Sequence, residues 1–275
     1  MQRVHRVAAA TMSSAVITAI MLTGCSTSNS DSNSSTSSSV QTTVIADPAA
    51  QVRAAADNTA ALSGAHLQLD VAGEVPNLNA KSVVADINTN PYAAKGTATV
   101  VFGRVAPREI QAPFVYIENT LYANVDNAGF LGYGDGRSIY DVSVILNKDK
   151  GLANVLRNLT NPVKSGTETI DGVETAKISG QVKASVLAQL TGPRATVPGG
   201  DQLVPVTVWL TSGTNQLARL QFPPNPADPR ASITINLTKW NTTTDISRPA
   251  DIHTPTETPS GTPTPGQQTR IPAGN

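Results

Sequence analysis

A series of short segments in which apolar and polar residues alternate constrains the fold of this chain more than any other feature. In the first, residues 65–71, Leu67, Leu69 and Val71 are separated by polar residues. This spacing is typical of a strand with one buried and one solvated face. Further strands are predicted at 81–88, 95–102, 109–118, 120–125, 163–170, 173–182, 204–210, 216–222 and 231–238.

Segments with helical periodicity interrupt these strands. The first opens at Asp47-Pro48, a favoured helix start, and stops near Gly64. The second helical region begins with a short apolar stripe, Val142, Ile145 and Leu146. It continues as a helix whose apolar residues follow i, i+3, i+4, i+7 spacing, namely Leu152, Val155, Leu156 and Leu159. A third, short helix is predicted over residues 184–190.

The strands come in hairpin runs and not as alternating strand–helix units. Asp171-Gly172 between two strand patterns is the strongest short hairpin signal in the chain. The order therefore predicts an α+β fold in which one large antiparallel sheet carries helices on one face. Aliphatic residues dominate while aromatics make up only 4%, so the predicted core is aliphatic. A net charge of zero with 15% charged residues gives no sign of a nucleic-acid partner.

The N-terminus resembles a lipoprotein signal peptide. Arg3 and Arg6 precede an apolar run over residues 7–22, which is shorter than the roughly 20 residues of a spanning helix. The run ends in Leu22-Thr-Gly-Cys25, which resembles the lipobox of bacterial lipoproteins. The small residues before the cysteine fit a narrow peptidase site, and the thiol takes a diacylglyceryl group. We therefore expect residues 1–24 to be removed and Cys25, the only cysteine, to carry acyl chains such as palmitate.

This anchor predicts the organisation of the rest of the chain. Residues 25–46 are rich in serine, threonine and asparagine and read as a disordered tether, about 25 Å in root-mean-square length. The folded domain is predicted over residues 47–247, followed by a disordered Pro/Thr-rich tail over 248–275. The protein is expected at the extracytoplasmic face of the cell membrane, held there by its lipid anchor.

Catalytic and metal-binding groups are scarce. His66 is the only histidine outside the signal peptide and the tail, and it alternates onto the polar face of a strand. No metal-ligand spacing, nucleophile motif or carboxylate pair is present, and residues 132–136 read as a glycine-rich turn or rim loop. We therefore expect no enzymatic activity, no metal and no cofactor. The apolar stripes form either a filled core or the wall of a hydrophobic cavity, and periodicity does not separate these alternatives.

Several blocks of the sequence resemble one family. They are 73–78 (GEVPNL), 114–117 (FVYI) with Leu121-Tyr122, 138–146, 150–156, 171–173 with 177–180, and 205–210. In order and spacing they are similar to the LppX/LprA/LprF/LprG family of mycobacterial cell-envelope lipoproteins, and most similar to its LprA branch. The resemblance covers residues 47–241. It implies a half-barrel, in which a strongly curved antiparallel sheet has helices on its concave face and encloses a hydrophobic cavity.

The resemblance also implies a function. Members of the family hold acylated lipids or glycolipids in that cavity and carry them through the envelope, without being enzymes. The implied partners are the lipid, the membrane, an envelope transporter and host innate immune receptors that bind acyl chains. Arg137, in the predicted rim loop, is a candidate contact for a lipid phosphate. The candidate lipid-binding residues are Phe114, Tyr116, Val142, Ile145, Leu152, Val155 and Leu156.

Three other functions remain open from the sequence. A binding or structural module with a filled core would have no lipid other than its own anchor. An enzyme acting on envelope lipid or glycan would need acid and base groups clustered in a cleft. An immune-signalling role, compatible with the others, would reside in the acylated Cys25.

Overall fold

The computed structural model of the chain describes residues 47–73, 75, 78–102, 107–191, 200–224, 228 and 230–253. The predicted lipidation site at Cys25, the signal peptide, the tether up to residue 46 and the tail after residue 253 lie outside these residues. Three helices are present in the described part of the chain, α1 (Pro48–Ala60), α2 (Leu152–Arg157) and α3 (Ala184–Thr191). No helix among them is long and apolar enough to cross a bilayer.

Twelve strands of the described chain form one sheet. They are β1 (Gly64–Ala72), β2 (Ala80–Thr89), β3 (Tyr92–Phe102), β4 (Arg108–Ile117), β5 (Thr120–Ala123), β6 (Phe130–Asp135), β7 (Thr160–Ile170), β8 (Val173–Lys183), β9 (Leu203–Thr211), β10 (Leu217–Phe222), β11 (Ser232–Thr238) and β12 (Ile252–His253). The predicted strand segments therefore all form strands, with shifts of a few residues at their ends.

The order of the strands is β12-β6-β5-β4-β3-β2-β1-β11-β10-β9-β8-β7. Two runs of consecutive antiparallel strands, β1–β6 and β7–β11, are thus joined where β1 pairs with β11, Leu69 lying opposite Ile235. The sheet stays open and curves into a half-barrel, which confirms the predicted fold class. The helices cover part of the concave face: α1 packs on α2 and against β7 and β9, while α3 contacts α2 and β8.

The start of α1 follows the sequence signal. The Asp47 carboxylate accepts a hydrogen bond of 3.0 Å from the backbone N–H of Ala49, and Pro48 occupies the first turn, where no N–H is needed. The helix then buries a narrow face made of Val52, Ala55, Ala56 and Thr59. These small residues let α1 lie close against its neighbours.

Gly96 lies where strand β3 approaches the backbone of β2 closely. A β-carbon at this position would collide with the carbonyl oxygen of Val84 and come within 2.7 Å of Cα of Ala85, both on the neighbouring strand β2. Because only glycine lacks that carbon, the close approach of β3 to β2 depends on it.

The C-terminal strap, residues 242–253, crosses the outer face of the sheet. The Asn88 side chain donates to the carbonyl of Thr244 (2.8 Å) and accepts from its N–H (3.1 Å). Further along, the Arg248 guanidinium lies 5.5 Å from the ring centre of Tyr122 on β5. Strand β12 then pairs in parallel with the first two residues of β6, Phe130 and Leu131.

Two elements differ from the sequence predictions. Residues 132–135, interpreted as part of a loop, form most of β6, so that prediction was wrong. Glycines at positions 132 and 134 weaken the strand pattern, but pairing with β5 provides the backbone partners of this stretch. Residues 248–253 of the predicted tail lie against the sheet as part of the C-terminal strap.

Candidate binding site

A cavity of about 410 Å³ lies between the concave face of the sheet and the elements that cover it. Its volume is within the range of about 300–1,000 Å³ typical of small-molecule sites. Strands β1–β6 and β10–β11 form one wall, while the segment after β6 and the end of α3 form the other. The lining residues are Leu67, Leu69, Leu78, Asn79, Ala80, Val83, Ala85, Ile87, Ala94, Ala98, Val100, Ala112, Phe114, Leu121, Ala123, Val125, Tyr133, Ile139, Tyr140, Val142, Ile145, Leu190, Thr191, Phe222, Ile233 and Ile235.

Small inward-facing side chains on the sheet make this space. Strands β2–β5 point alanines toward the interior, namely Ala85, Ala94, Ala98, Ala112 and Ala123. The inward positions of β8–β10 instead carry larger residues, including Ile178, Val208 and Leu220, all of which are fully buried. Since α1, α2 and α3 cover much of that second half of the sheet, its core is filled there, and the cavity lies mainly against β1–β6, with β11 and the end of β10 at its border.

The wall opposite the sheet is the β6–α2 segment, residues 136–151. It contains two short 3-10 turns, Gly136–Ser138 and Val142–Val144, and no strand. The second turn lies near β3, so the segment crosses the concave side. It contributes Ile139, Tyr140, Val142 and Ile145 to the lining.

The cavity lining carries no charged side chain among the described residues. Its polar groups are the side chains of Asn79 and Thr191 and the hydroxyls of Tyr133 and Tyr140. The Tyr140 hydroxyl donates a hydrogen bond of 2.8 Å to the carbonyl of Leu190, and burial raises the pKa of this phenol above its ordinary range. The interior therefore suits an uncharged apolar ligand.

The cavity opens to solvent beside two exposed apolar side chains. Tyr133 on β6 and Ile139 on the β6–α2 segment are 42% and 40% exposed, and both also line the cavity. Asn79, at the start of β2, adds an exposed polar group to the lining. The opening therefore has an apolar rim with a polar contact.

Tyr116 on β4 connects the sheet to the β6–α2 segment through its hydroxyl group. It is fully buried, and its hydroxyl lies 3.2 Å from Oδ1 of Asp141 and 3.3 Å from Oδ1 of Asn119. Burial, and then the negative charge of Asp141, raise the pKa of Tyr116 to about 12. The phenol thus stays neutral and remains a hydrogen-bond donor at ordinary pH.

The structure brings three of the seven candidate lipid-binding residues into the cavity wall. Phe114, Val142 and Ile145 line it. The other four, Tyr116, Leu152, Val155 and Leu156, are fully buried in the adjoining core and are not part of the lining. Contact of any of these residues with lipid stays a prediction.

Arg137, the candidate rim residue, is exposed and lies outside the lining. Its guanidinium forms a two-pronged ion pair with the carboxylate of Asp135, with a shortest distance of 2.7 Å. This partner holds the pKa of Asp135 below its usual range and engages Nε and Nη2 of the guanidinium. Phosphate binding by Arg137 stays a prediction.

Sequence reasoning missed the alanines of β2–β5 and the pair formed by Tyr140 and Leu190. The alanines could have been found, because small residues recur at inward alternate positions on successive strands. The pair joins residues 50 positions apart in the chain, and no local pattern marks it.

The fold and the site define an open half-barrel protein with an uncharged apolar cavity, and comparison with known proteins identifies its family. The sequence profile of the LppX_LprAFG lipoprotein family matches residues 47–246. The chain therefore belongs to the LppX/LprA/LprF/LprG family, and the predicted family is confirmed. This is a family of envelope-associated lipoproteins of the lipid-binding carrier type.

Two relatives cover nearly the whole chain. Lipoprotein LprA of Mycobacterium tuberculosis is 35% identical over 246 residues, which are 88% of this chain and 96% of the relative. Lipoarabinomannan carrier protein LprG of the same organism is 33% identical over 242 residues, 87% of this chain and 94% of the relative.

Two solved structures share the fold. LprF from Mycobacterium bovis superposes with a TM-score of 0.65 at 25% identity, covering 73% of this chain and 96% of its own. Lipoprotein LppX from Mycobacterium tuberculosis gives a TM-score of 0.55 at 25% identity, covering 73% of this chain and 98% of its own.

Proposed function

We propose that this lipoprotein binds the acyl chains of a lipid or glycolipid in the cavity and carries the molecule within the cell envelope, without a catalytic step. The observation that carries this proposal is the cavity of about 410 Å³, lined by apolar side chains and open beside Tyr133 and Ile139. A filled-core module, the main alternative, would have no such space.

The chemistry of the lining supports acyl chains as ligands. Exposing each methylene of an acyl chain to water costs about 0.8 kcal/mol, so a lipid in transit needs an apolar enclosure. The aliphatic wall offers dispersion contacts with no preferred position along the chain, which suits ligands of different length. A polar headgroup would lie at the opening, where Asn79 provides a hydrogen-bonding side chain.

The relatives support the ligand class. LprG is named as a carrier of lipoarabinomannan, and the similarity to this chain covers 94% of the length of LprG. A glycolipid of that kind joins acyl chains to a large polar part. The proposed ligand class for this chain therefore includes glycolipids as well as simpler acylated lipids.

The predicted lipid anchor is the second part of the proposal, because it would fix where the protein works. Acylated Cys25 would hold the protein at the extracytoplasmic face of the membrane, and the tether of residues 26–46 would leave the half-barrel free to reach lipid. An envelope transporter would accept or deliver the ligand. Host innate immune receptors would recognise the acylated cysteine, a role that Cys25→Ala should abolish.

Native mass spectrometry with lipid extraction tests the proposal. The chain of residues 26–275, which contains every described helix and strand, would be purified from a mycobacterial host. We expect one di- or triacylated lipid per protein. Ala98→Phe, which puts a ring into the cavity, should reduce or abolish this lipid.

Thr97→Phe is the matched control, because Thr97 is the next residue of β3 and is exposed on the opposite face. It should keep the lipid, and circular dichroism should show that both variants fold. A wild-type protein with a clean apo mass, which also takes up no added diacylglycerol, would contradict the proposal and favour the filled-core module.

A further inference from the structure

The β6–α2 segment is the least firmly packed wall of the cavity. Residues 137–144 are all exposed or half-buried and pair with no strand. Their internal hydrogen bonds are those of two short turns, each capped by an aspartate, Asp135 or Asp141, that accepts from an N–H two residues later. Segments of this kind open at a lower free-energy cost than paired strands.

Both ends of this stretch are fixed. At its start, the N–H of Gly136 donates to the carbonyl of Asn119 (2.8 Å), and the ring of Tyr116 is so near that a β-carbon on Gly136 would come within 2.8 Å of it. At its end, Ile145 is buried and its carbonyl accepts from the N–H of Leu152 (3.0 Å). Between these two fixed points the stretch is tied to the rest of the structure by two long-range side-chain hydrogen bonds, Tyr116 to Asp141 and Tyr140 to Leu190.

One side chain ties this stretch to α3. The Tyr140 ring lines the cavity, and its hydroxyl donates to the carbonyl of Leu190, which also lines the cavity. Leu190 lies in the last turn of α3, where backbone carbonyls have no partner within the helix. The hydrogen bond thus joins two walls that no strand pairing connects.

We propose that residues 137–144 are the gate of the cavity and that the Tyr140–Leu190 hydrogen bond is its latch. The ligand passes between this stretch and the end of α3, beside the exposed Ile139. The proposal rests on the proposed function, since it concerns how the same cavity takes up an acylated lipid.

The other described walls do not offer this path. Strands β1–β5 are joined by continuous antiparallel hydrogen bonding, so separating them would break many backbone bonds at once. The inward residues of α2, such as Leu152 and Val155, are fully buried in the filled half of the core. Opening at residues 137–144 breaks only two long-range side-chain hydrogen bonds among the described residues, that of Tyr140 to Leu190 and that of Tyr116 to Asp141.

A gate has a kinetic signature that a simple ligand contact lacks. Releasing the latch lowers the barrier for uptake and for release together, so both rate constants rise while their ratio stays nearly constant. Loss of a ligand contact would instead raise the dissociation rate alone and weaken affinity. Because the loss of one hydrogen bond changes an equilibrium by about two- to tenfold, both rates should rise by about that factor.

The test uses the chain of residues 26–275 and a diacylglycerol with one fluorescent acyl chain, followed by stopped-flow fluorescence. Tyr140→Phe should raise the association and dissociation rate constants by about two- to tenfold, with an affinity within about twofold of wild type. Tyr122→Phe is the matched control, because Tyr122 lies on the outer face beneath Arg248. Unchanged rates in Tyr140→Phe, or a change in dissociation alone, would overturn the gate.

Hydrogen exchange of the ligand-free protein tests the gate independently of the proposed function. Peptides covering residues 137–144 should exchange faster in Tyr140→Phe than in wild type, while peptides from β4 and α2 should not change. Failure of the wild-type protein to bind the probe would contradict the proposed function. Failure of the exchange to accelerate would overturn the gate even if the probe binds.

Discussion

The hydroxyl of Tyr116 lies 3.2 Å from Oδ1 of Asp141, and this contact ties the middle of the sheet to the segment that covers the cavity. The same carboxylate oxygen accepts from the N–H of Ser143 (3.1 Å) and from its hydroxyl (2.5 Å). Asp141 therefore organises the turn Val142–Val144 and receives the phenol of β4 at one point. An ionised Tyr116 would lose its donor and face a like charge.

This arrangement predicts a loss of stability at high pH. The pKa of Tyr116 is raised from 10.0 to about 12, and that of Tyr140 is also raised by burial. The unfolded chain thus ionises first, so the contribution is complete below pH 10 and falls as the pH rises from 10 toward 12. Urea midpoints should be measured from pH 8 to 11. They should decline less steeply in the double variant that combines Tyr116→Phe and Tyr140→Phe than in wild type. Equal slopes would refute this assignment.

Gly96→Ala should destabilise the fold strongly. The added methyl group would collide with the backbone of β2, which cannot move aside as a flexible side chain would. We expect the free energy of unfolding to fall by about 1–3 kcal/mol, as measured by urea denaturation. Gly132→Ala on β6 is the matched control, since its methyl group would meet only the Tyr122 ring at 3.6 Å, an ordinary contact. Similar losses in both variants would argue against a close approach of β2 and β3 that depends on Gly96.

Leu156→Ala should lower the stability of the fold without changing the bound ligand. Leu156 is 1% exposed in the filled half of the core and does not line the cavity. We expect a loss of about 2–5 kcal/mol in the free energy of unfolding, with the same bound lipid by mass spectrometry. Phe114→Ala, inside the cavity, should instead enlarge the site and shift the bound lipid toward bulkier acyl chains. A changed lipid in Leu156→Ala would show that the cavity extends toward α2.

Truncation should reveal the contribution of the C-terminal strap. Removing residues 243–275 deletes the hydrogen bonds between Asn88 and Thr244, the contact of Arg248 with Tyr122, and β12. Together these should lower the free energy of unfolding by about 2–4 kcal/mol and speed hydrogen exchange in β6. Removing only residues 254–275 keeps all of these contacts and should leave both measurements unchanged. Equal effects of the two truncations would assign the stabilisation to the tail.

The strands with a strict period of two could be predicted from the sequence. In β11, Ile233, Ile235 and Leu237 alternate with polar residues, and the structure buries all three. Strands β6 and β12 escaped prediction because neither has an apolar period of its own. Strand β6 forms through its pairing with β5, and β12 then pairs with β6 from about 120 residues further along the chain, a pairing that local sequence does not indicate.

The candidate site was only partly predictable for a related reason. Apolar spacing identifies residues that point inward, and Phe114 and Leu156 both do so. Whether such a residue meets a neighbour or an open space depends on the elements opposite it. Leu156 lies where helices fill the concave face, while Phe114 lies among the alanines of neighbouring strands, and that difference appears only in three dimensions.

The C-terminal strap has a consequence for self-association. A sheet with two free edges can recruit strands at both ends and grow into a filament. Here the two edge strands of the described sheet are β12, which is only two residues long, and β7, which is irregular and carries Lys164 and Pro162. A very short strand and a strand interrupted by bulges and a proline are both poor templates for a further strand, so neither edge favours growth by edge-to-edge pairing.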